Sequence, residues 1–86
     1  DMNCKIFPNP SNNGTFNIDI SVKEQRNTNA NIIIYDILGK EIFSENINIA
    51  GKISKRITLP NNENAIYNMK IIFENGDIIT EKLVIK

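Results

Sequence analysis

Ala65-Ile-Tyr-Asn-Met-Lys-Ile-Ile-Phe-Glu-Asn-Gly-Asp-Ile-Ile-Thr-Glu-Lys-Leu-Val-Ile-Lys86 is the stretch that decides the architecture. It divides into a strand over Ala65 to Phe73, a tight turn over Glu74 to Asp77 and a returning strand over Ile78 to Ile85. Asn75-Gly76 between two apolar runs predicts a type I′ hairpin, because that turn needs positive φ at both central residues and Asn and Gly accept it most readily. In the first strand Tyr67, Met69, Ile71 and Phe73 alternate with positions that include Asn68 and Lys70. One face is therefore expected in a core and the other partly in water. Only Lys86 follows Ile85, so the last strand is expected at a sheet margin where another protein could read it.

Working outward, the same period of two recurs. Thr15 to Val22 places Phe16, Ile18, Ile20 and Val22 on one face and Thr15, Asn17, Asp19 and Ser21 on the other, the pattern of a half-buried antiparallel strand. Ile32-Ile-Ile-Tyr35, within Ala30 to Ile37, is a continuous apolar run that predicts a central strand covered on both sides or meeting a partner. Asp36-Ile-Leu-Gly-Lys40 is a turn with Gly39 at positive φ, and Glu41 to Ile47 returns with Ile42 and Phe43 as its apolar residues. Asn48 to Gly51 reads as a short link. Ile53 to Leu59 alternates again, with Lys55 in the register of Ile53, Ile57 and Leu59, its stem along the margin and its ammonium in water. Lys5 to Phe7 is a brief edge strand closed by Pro8-Asn9-Pro10, whose prolines give no backbone donor. Ser11 to Gly14 is a turn, and Lys23 to Asn29 and Pro60 to Asn64 are polar loops.

Seven short strands, turn signals every ten residues or so and no convincing helix predict an all-β fold, a seven-stranded antiparallel β-sandwich of the immunoglobulin or fibronectin type III kind. Eighty-six residues allow one domain with a thin core. Ile is exceptionally frequent while Trp is absent and Leu scarce, which favours strands, since β-branched side chains suit a pleated surface.

Ten basic and ten acidic side chains cancel, which argues against a polyanion partner such as nucleic acid. The Lys52-Ile-Ser-Lys55-Arg56 cluster reads as a solvated strand face. The single Cys4 excludes a disulfide scaffold, and no apolar run approaches the roughly eighteen to twenty residues that cross a bilayer as a helix. The chain has no His, which removes the commonest general base, the usual triad and most zinc sites. Cys4 has no His partner and no Gly-rich phosphate loop occurs, so neither an enzyme nor a cofactor is expected. Asp19, Asp36 and Asp77 do not follow the spacing of a calcium loop. Asn13-Gly-Thr15 fits the N-glycosylation pattern, a weak three-residue match. Tyr67, at the start of the sixth strand after Leu59-Pro60, matches the tyrosine corner of such sandwiches, where the hydroxyl bonds nearby backbone.

Ile6-Phe-Pro-Asn-Pro-Ser11 followed by Gly14-Thr-Phe16, then Ile34-Tyr-Asp-Ile-Leu-Gly-Lys40, then Ala65-Ile-Tyr67 with Lys70-Ile71, Asn75-Gly76 and Lys82-Leu-Val-Ile85 together resemble the type A C-terminal sorting domain of the type IX secretion system of Bacteroidetes. The motifs stand in the family's order and spacing over nearly the whole chain. The resemblance implies a sandwich domain, here residues 1–86, at the C-terminus of a larger cargo protein. It implies passage through the periplasm, then direction through the outer-membrane translocon with its shuttle proteins to the cell surface or medium. It also implies removal by a sortase-like cysteine protease with surface attachment of the cargo. Three positions depart from the pattern: Ala65 stands for the usual Gly, Asn68 for an aromatic or aliphatic residue, and Glu81-Lys82 for a basic pair. Glu81 also shares the register of Ile79, Leu83 and Ile85, which a bulge would relieve.

Under this resemblance, Lys82, Leu83, Val84, Ile85 and Lys86 are the expected recognition residues, through charge together with strand addition or docking in a pocket. Pro8, Asn9, Pro10, Asp36, Gly39, Lys40, Asn75 and Gly76 are expected to be structural turns, and the exposed last strand could also self-associate. The alternative is a carbohydrate- or protein-binding sandwich module of a secreted protein, which requires a patch of exposed aromatics.

Overall fold

The computed structural model describes residues 2–23, 27–60 and 64–86. Seven strands follow one another: β1 (Met2–Phe7), β2 (Thr15–Val22), β3 (Asn27–Tyr35), β4 (Glu41–Ala50), β5 (Lys52–Thr58), β6 (Ala65–Phe73) and β7 (Ile78–Ile85). They form a three-stranded sheet in the order β1-β2-β5 and a four-stranded sheet in the order β4-β3-β6-β7, with every strand pair antiparallel. The expected β-sandwich is thus present.

Period-two alternation explains the core. Phe16, Ile18 and Ile20 of β2 face Ile32 and Ile34 of β3, Met69 and Ile71 of β6, and Leu83 and Ile85 of β7, all essentially without solvent contact. Burying each such side chain contributes roughly 1.5–3 kcal/mol. Among the described residues, charges enter this inner layer at its two open margins. Lys55 on β5 points inward beside Glu45 on β4, and the two form an ion pair across the gap between the sheets. At the opposite margin Glu81 points inward near Cys4 of β1. Inward-pointing charge at an edge strand discourages pairing with another chain.

Several local expectations change. The β6–β7 turn is not type I′: Gly76 has φ +95°, while no residue other than glycine has positive φ among the described residues. Gly76 N–H donates to the Phe73 carbonyl at 2.9 Å and Phe73 N–H to the Asp77 carbonyl at 2.8 Å. This is a three-residue loop with one left-handed residue, which needs glycine once and leaves Asn75 free to brace the turn by accepting from Asp77 N–H. The β3–β4 turn repeats it, with Gly39 at φ +88° and Gly39 N–H bonded to the Asp36 carbonyl.

β3 starts at Asn27 and ends at Tyr35, and β4 continues to Ala50, so Gly51 alone links β4 to β5. The expected loop Asn27–Asn29 and the expected link Asn48–Ala50 are strand because they pair with one another, and Asn48 Nδ2 donates to Asn29 Oδ1 at 2.9 Å. The core residues of β4 are Ile47 and Ile49, while Ile42 and Phe43 pack at its margin. β1 extends from Met2. The Ile32–Tyr35 run is fully buried on one face only; Ile33 and Tyr35 are half-buried on the outer face. Glu81 needs no bulge, since β6 and β7 pair in unbroken register; the one register shift within these pairings lies between β3 and β4 at Ile34/Tyr35. Parts of the two expected polar loops, residues 24–26 and 61–63, lie outside the described residues.

Candidate functional site

β7 is an edge strand of the four-stranded sheet, and strict alternation divides its last residues between two roles. Leu83 and Ile85 are buried in the core, whereas Lys82, Val84 and Lys86 point to the outside, with Val84 half-buried. Outward residues of β6 lie beside them, Ile66 opposite Val84 and Asn68 opposite Lys82.

The free edge of β7 is closed along this segment. Asn9 Nδ2 donates to the Lys82 carbonyl at 2.8 Å, and Asn9 Oδ1 accepts from Val84 N–H at 3.0 Å. Ser11 N–H donates to the Val84 carbonyl and Lys86 N–H to the Ser11 carbonyl, both at 2.8 Å. Ser11 and Ile85 thereby form a parallel bridge. Pro8 and Pro10 have no N–H. The Asn9 side chain, which carries both a donor and an acceptor, stands in for a strand's peptide group between them.

Ser11 is itself fully buried, and its hydroxyl holds the following turn. Oγ accepts from Gly14 N–H at 3.1 Å and donates to the Thr15 carbonyl at 2.9 Å. The Pro8–Ser11 segment latches the last strand. No local pattern shows this, since Asn9 and Val84 are 75 residues apart.

At the Asp36–Lys40 end, Asp36 Oδ1 accepts from Leu38 and Lys40 N–H at 3.0 and 2.9 Å. That local bonding holds a loop tip on which Ile37 is 73% and Leu38 90% exposed. A groove of about 570 Å³ runs from Asp36 and Ile37 past Ile66 and Tyr67 to Val84 and Lys86. Tyr67 is buried and forms part of its floor.

The two outer faces of the sandwich differ. On the three-stranded sheet the outward positions are polar or charged apart from Phe7, and cross-strand bonds join Thr15 to Thr58, Arg56 to Asn17 and Ser54 to Asp19. The Lys52–Arg56 cluster divides between this solvated face and the inward Lys55. On the four-stranded sheet Ile33, Ile66, Ile72, Ile78 and Val84 face outward, with the Lys70 ammonium 5.8 Å from the Tyr35 ring centre. No carboxylate occupies an outward position of β3, β6 or β7.

Other candidates are dispersed. Asp36 and Asp77 lie at opposite ends of the sandwich because β3 and β6 are antiparallel, and Asp19 sits in the middle of β2 bonded to Ser54. Burial first, then the nearby Glu81 and Asp19 carboxylates, push the Cys4 thiol up to about 11, which keeps it neutral and poorly nucleophilic at physiological pH. Phe16, Tyr67 and Phe73 are in the core, which leaves no stacked aromatic platform for a sugar among the described residues. Asn13 is exposed, but its Oδ1 accepts from Thr15 N–H within the turn.

A family model described as the secretion system C-terminal sorting domain matches residues 5–86. No curated protein matches the sequence significantly.

Proposed function

Because the chain belongs to the secretion system C-terminal sorting domains, the signals that take type IX cargo across the outer membrane to the cell surface or medium, we propose that this signal is read on the outer face of the four-stranded sheet. The reading surface is the groove lined by Ile37, Ile66, Val84 and Lys86, with Lys82 the preceding outward residue of β7. Leu83 and Ile85 anchor the strand from inside. The asymmetry of the two outer faces carries this reading. Apolar side chains exposed together cost solubility and mark interaction surfaces, and here they accompany lysines on β6 and β7, with Glu41 opposite Tyr35 at the far, β4 edge of the sheet. The complementary receptor surface presents an aliphatic centre rimmed by acidic groups.

The family is not known as catalytic, and the domain acts in this reading as a non-catalytic module of residues 1–86 behind a larger cargo. The absence of His and the neutral Cys4 thiol are consistent with that role. Its partners are the type IX translocon and its shuttle proteins, followed by a sortase-like cysteine protease that removes the domain and attaches the cargo at the surface. Closure of the edge by Asn9 and Ser11 favours docking of side chains over strand addition at Lys82 to Lys86.

The test is a fluorescent reporter fused ahead of residues 1–86, followed in a type IX competent strain and in one lacking the translocon. The wild-type fusion reaches the surface or medium only in the competent strain. Lys82→Glu with Val84→Glu abolishes export from a folded domain, while Lys5→Glu with Arg56→Glu on the opposite outer face leaves it intact. Normal export of the Lys82/Val84 pair refutes the assignment.

A further inference from the structure

The geometry assigns Asn9 a positioning role in recognition: it sets the backbone of the outward residues of β7 without meeting the receptor. This rests on the outer-face reading above. Lys82 and Val84 are the last outward residues of β7 and Lys86 follows it, and the Pro8–Ser11 segment holds each of them by its main chain. The carbonyl of Lys82 and the N–H of Val84 go to one Asn9 side chain, and the carbonyl of Val84 and the N–H of Lys86 go to Ser11.

The β6 side of β7 cannot do this alone. Antiparallel pairing directs the peptide groups of odd residues such as Leu83 and Ile85 towards β6, and those of even residues away from it. Without the latch the even peptide groups face water and the strand end frays, as edge strands and chain ends do. Fraying from Val84 onward randomises the placement of Val84 and Lys86 relative to Lys82 while Leu83 and the β6 core stay in place. Asn9 is exposed, so its substitution removes the two bonds without opening a cavity. No other single side chain bonds two successive outward residues of β7 among the described residues.

Hydrogen exchange and export of the same variants test this. In Asn9→Ala, the Val84 and Lys86 amides exchange at least tenfold faster while those of Met69, Ile71 and Leu83 stay within twofold. Reporter export falls at least tenfold at a temperature where the domain remains folded. Asn9→Asp keeps the acceptor for Val84 N–H but loses the donor to the Lys82 carbonyl, so it falls between wild type and Asn9→Ala in both readouts. Ile57→Val, buried on the three-stranded sheet, lowers stability without touching the latch and exports normally.

Unchanged exchange at Val84 and Lys86 in Asn9→Ala overturns the positioning role, as does export equal to that of Ile57→Val despite faster exchange. Normal export of Lys82→Glu with Val84→Glu would instead overturn the outer-face reading.

Discussion

Ser11→Ala isolates the buried hydroxyl that holds the first motif together. Ser11 has no solvent contact, and the substitution keeps its backbone bonds to Val84 and Lys86. It removes Oγ, which accepts from the buried Gly14 N–H at 3.1 Å and donates to the Thr15 carbonyl at 2.9 Å. An alanine methyl group replaces neither bond, and water has no ready access. Leaving a buried donor without a partner costs about 1–3 kcal/mol, and the weakened carbonyl adds about 0.5–1 kcal/mol. The expected loss is therefore about 2–3 kcal/mol. A domain of this size has about 4–13 kcal/mol in all, so the loss is a large share. At roughly 4–8 °C per kcal/mol, it lowers Tm by about 10–20 °C. Urea unfolding followed by far-UV circular dichroism measures it, with an unchanged slope showing that only stability moved. Ser54→Ala is the control: its hydroxyl bonds Asp19 in an exposed setting and should cost under about 0.5 kcal/mol. If the two variants unfold within experimental error of each other, the view of Ser11 as the buried hub of this motif is wrong.

Gly39→Ala and Gly76→Ala should each cost about 1–2 kcal/mol from backbone strain alone, since both residues have positive φ and a Cβ there meets no atom within 4 Å; a clash-free neutral substitution at either site would contradict the turn geometry. Replacing Lys55 and Glu45 together with valine should leave stability unchanged or raise it by up to about 1 kcal/mol, because the half-exposed pair is weak. The same double variant should self-associate in sedimentation velocity, since it removes the inward charge that guards the β4 and β5 margins; a monomer at high concentration would discount that role. The Cys4 thiol, with its pKa about 11 against an ordinary 9.0, binds its proton more tightly in the folded state. Stability from this group is full below pH 9, falls as pH rises from 9 towards 11, and is accompanied by slow iodoacetamide labelling of the folded protein at pH 8. Equal labelling rates for folded and urea-unfolded protein would show the thiol to be unshielded.

The proposed reading surface and the residues that support it were legible to different degrees. Lys82, Val84 and Lys86 are marked in the sequence by alternation with Leu83 and Ile85, and Asp36, Gly39, Asn75 and Gly76 by turn chemistry that acts over four or five residues. The family motifs lie in the same local stretches, which is why Pro8–Ser11 and Lys82–Ile85 could be singled out without coordinates. Their union could not. Asn9 and Val84 meet across 75 residues, and nothing in Pro-Asn-Pro states which strand its amide will grip.

Alternation is a property of one strand, so the amino-acid order alone sufficed for seven strands, for the inward set of Phe16, Ile18, Ile20, Met69 and Ile71, and for the antiparallel sandwich. It misjudged the ends of β3 and β4, where Asn27 to Asn29 and Asn48 to Ala50 look like loops until they are seen paired. Tertiary structure alone decided the sheet orders β1-β2-β5 and β4-β3-β6-β7, and with them which strands have open edges. It therefore decided that Glu45 would meet the inward Lys55 across the gap between the sheets, and that Glu81 could point inward without a bulge. It also decided that Ile33, Ile66, Ile72, Ile78 and Val84 share the outer face of one sheet, while that of the other is polar apart from Phe7. Each strand's period assigns two faces and is silent on which strands will share them, since neighbours in a sheet are chosen by contacts between residues far apart in the chain.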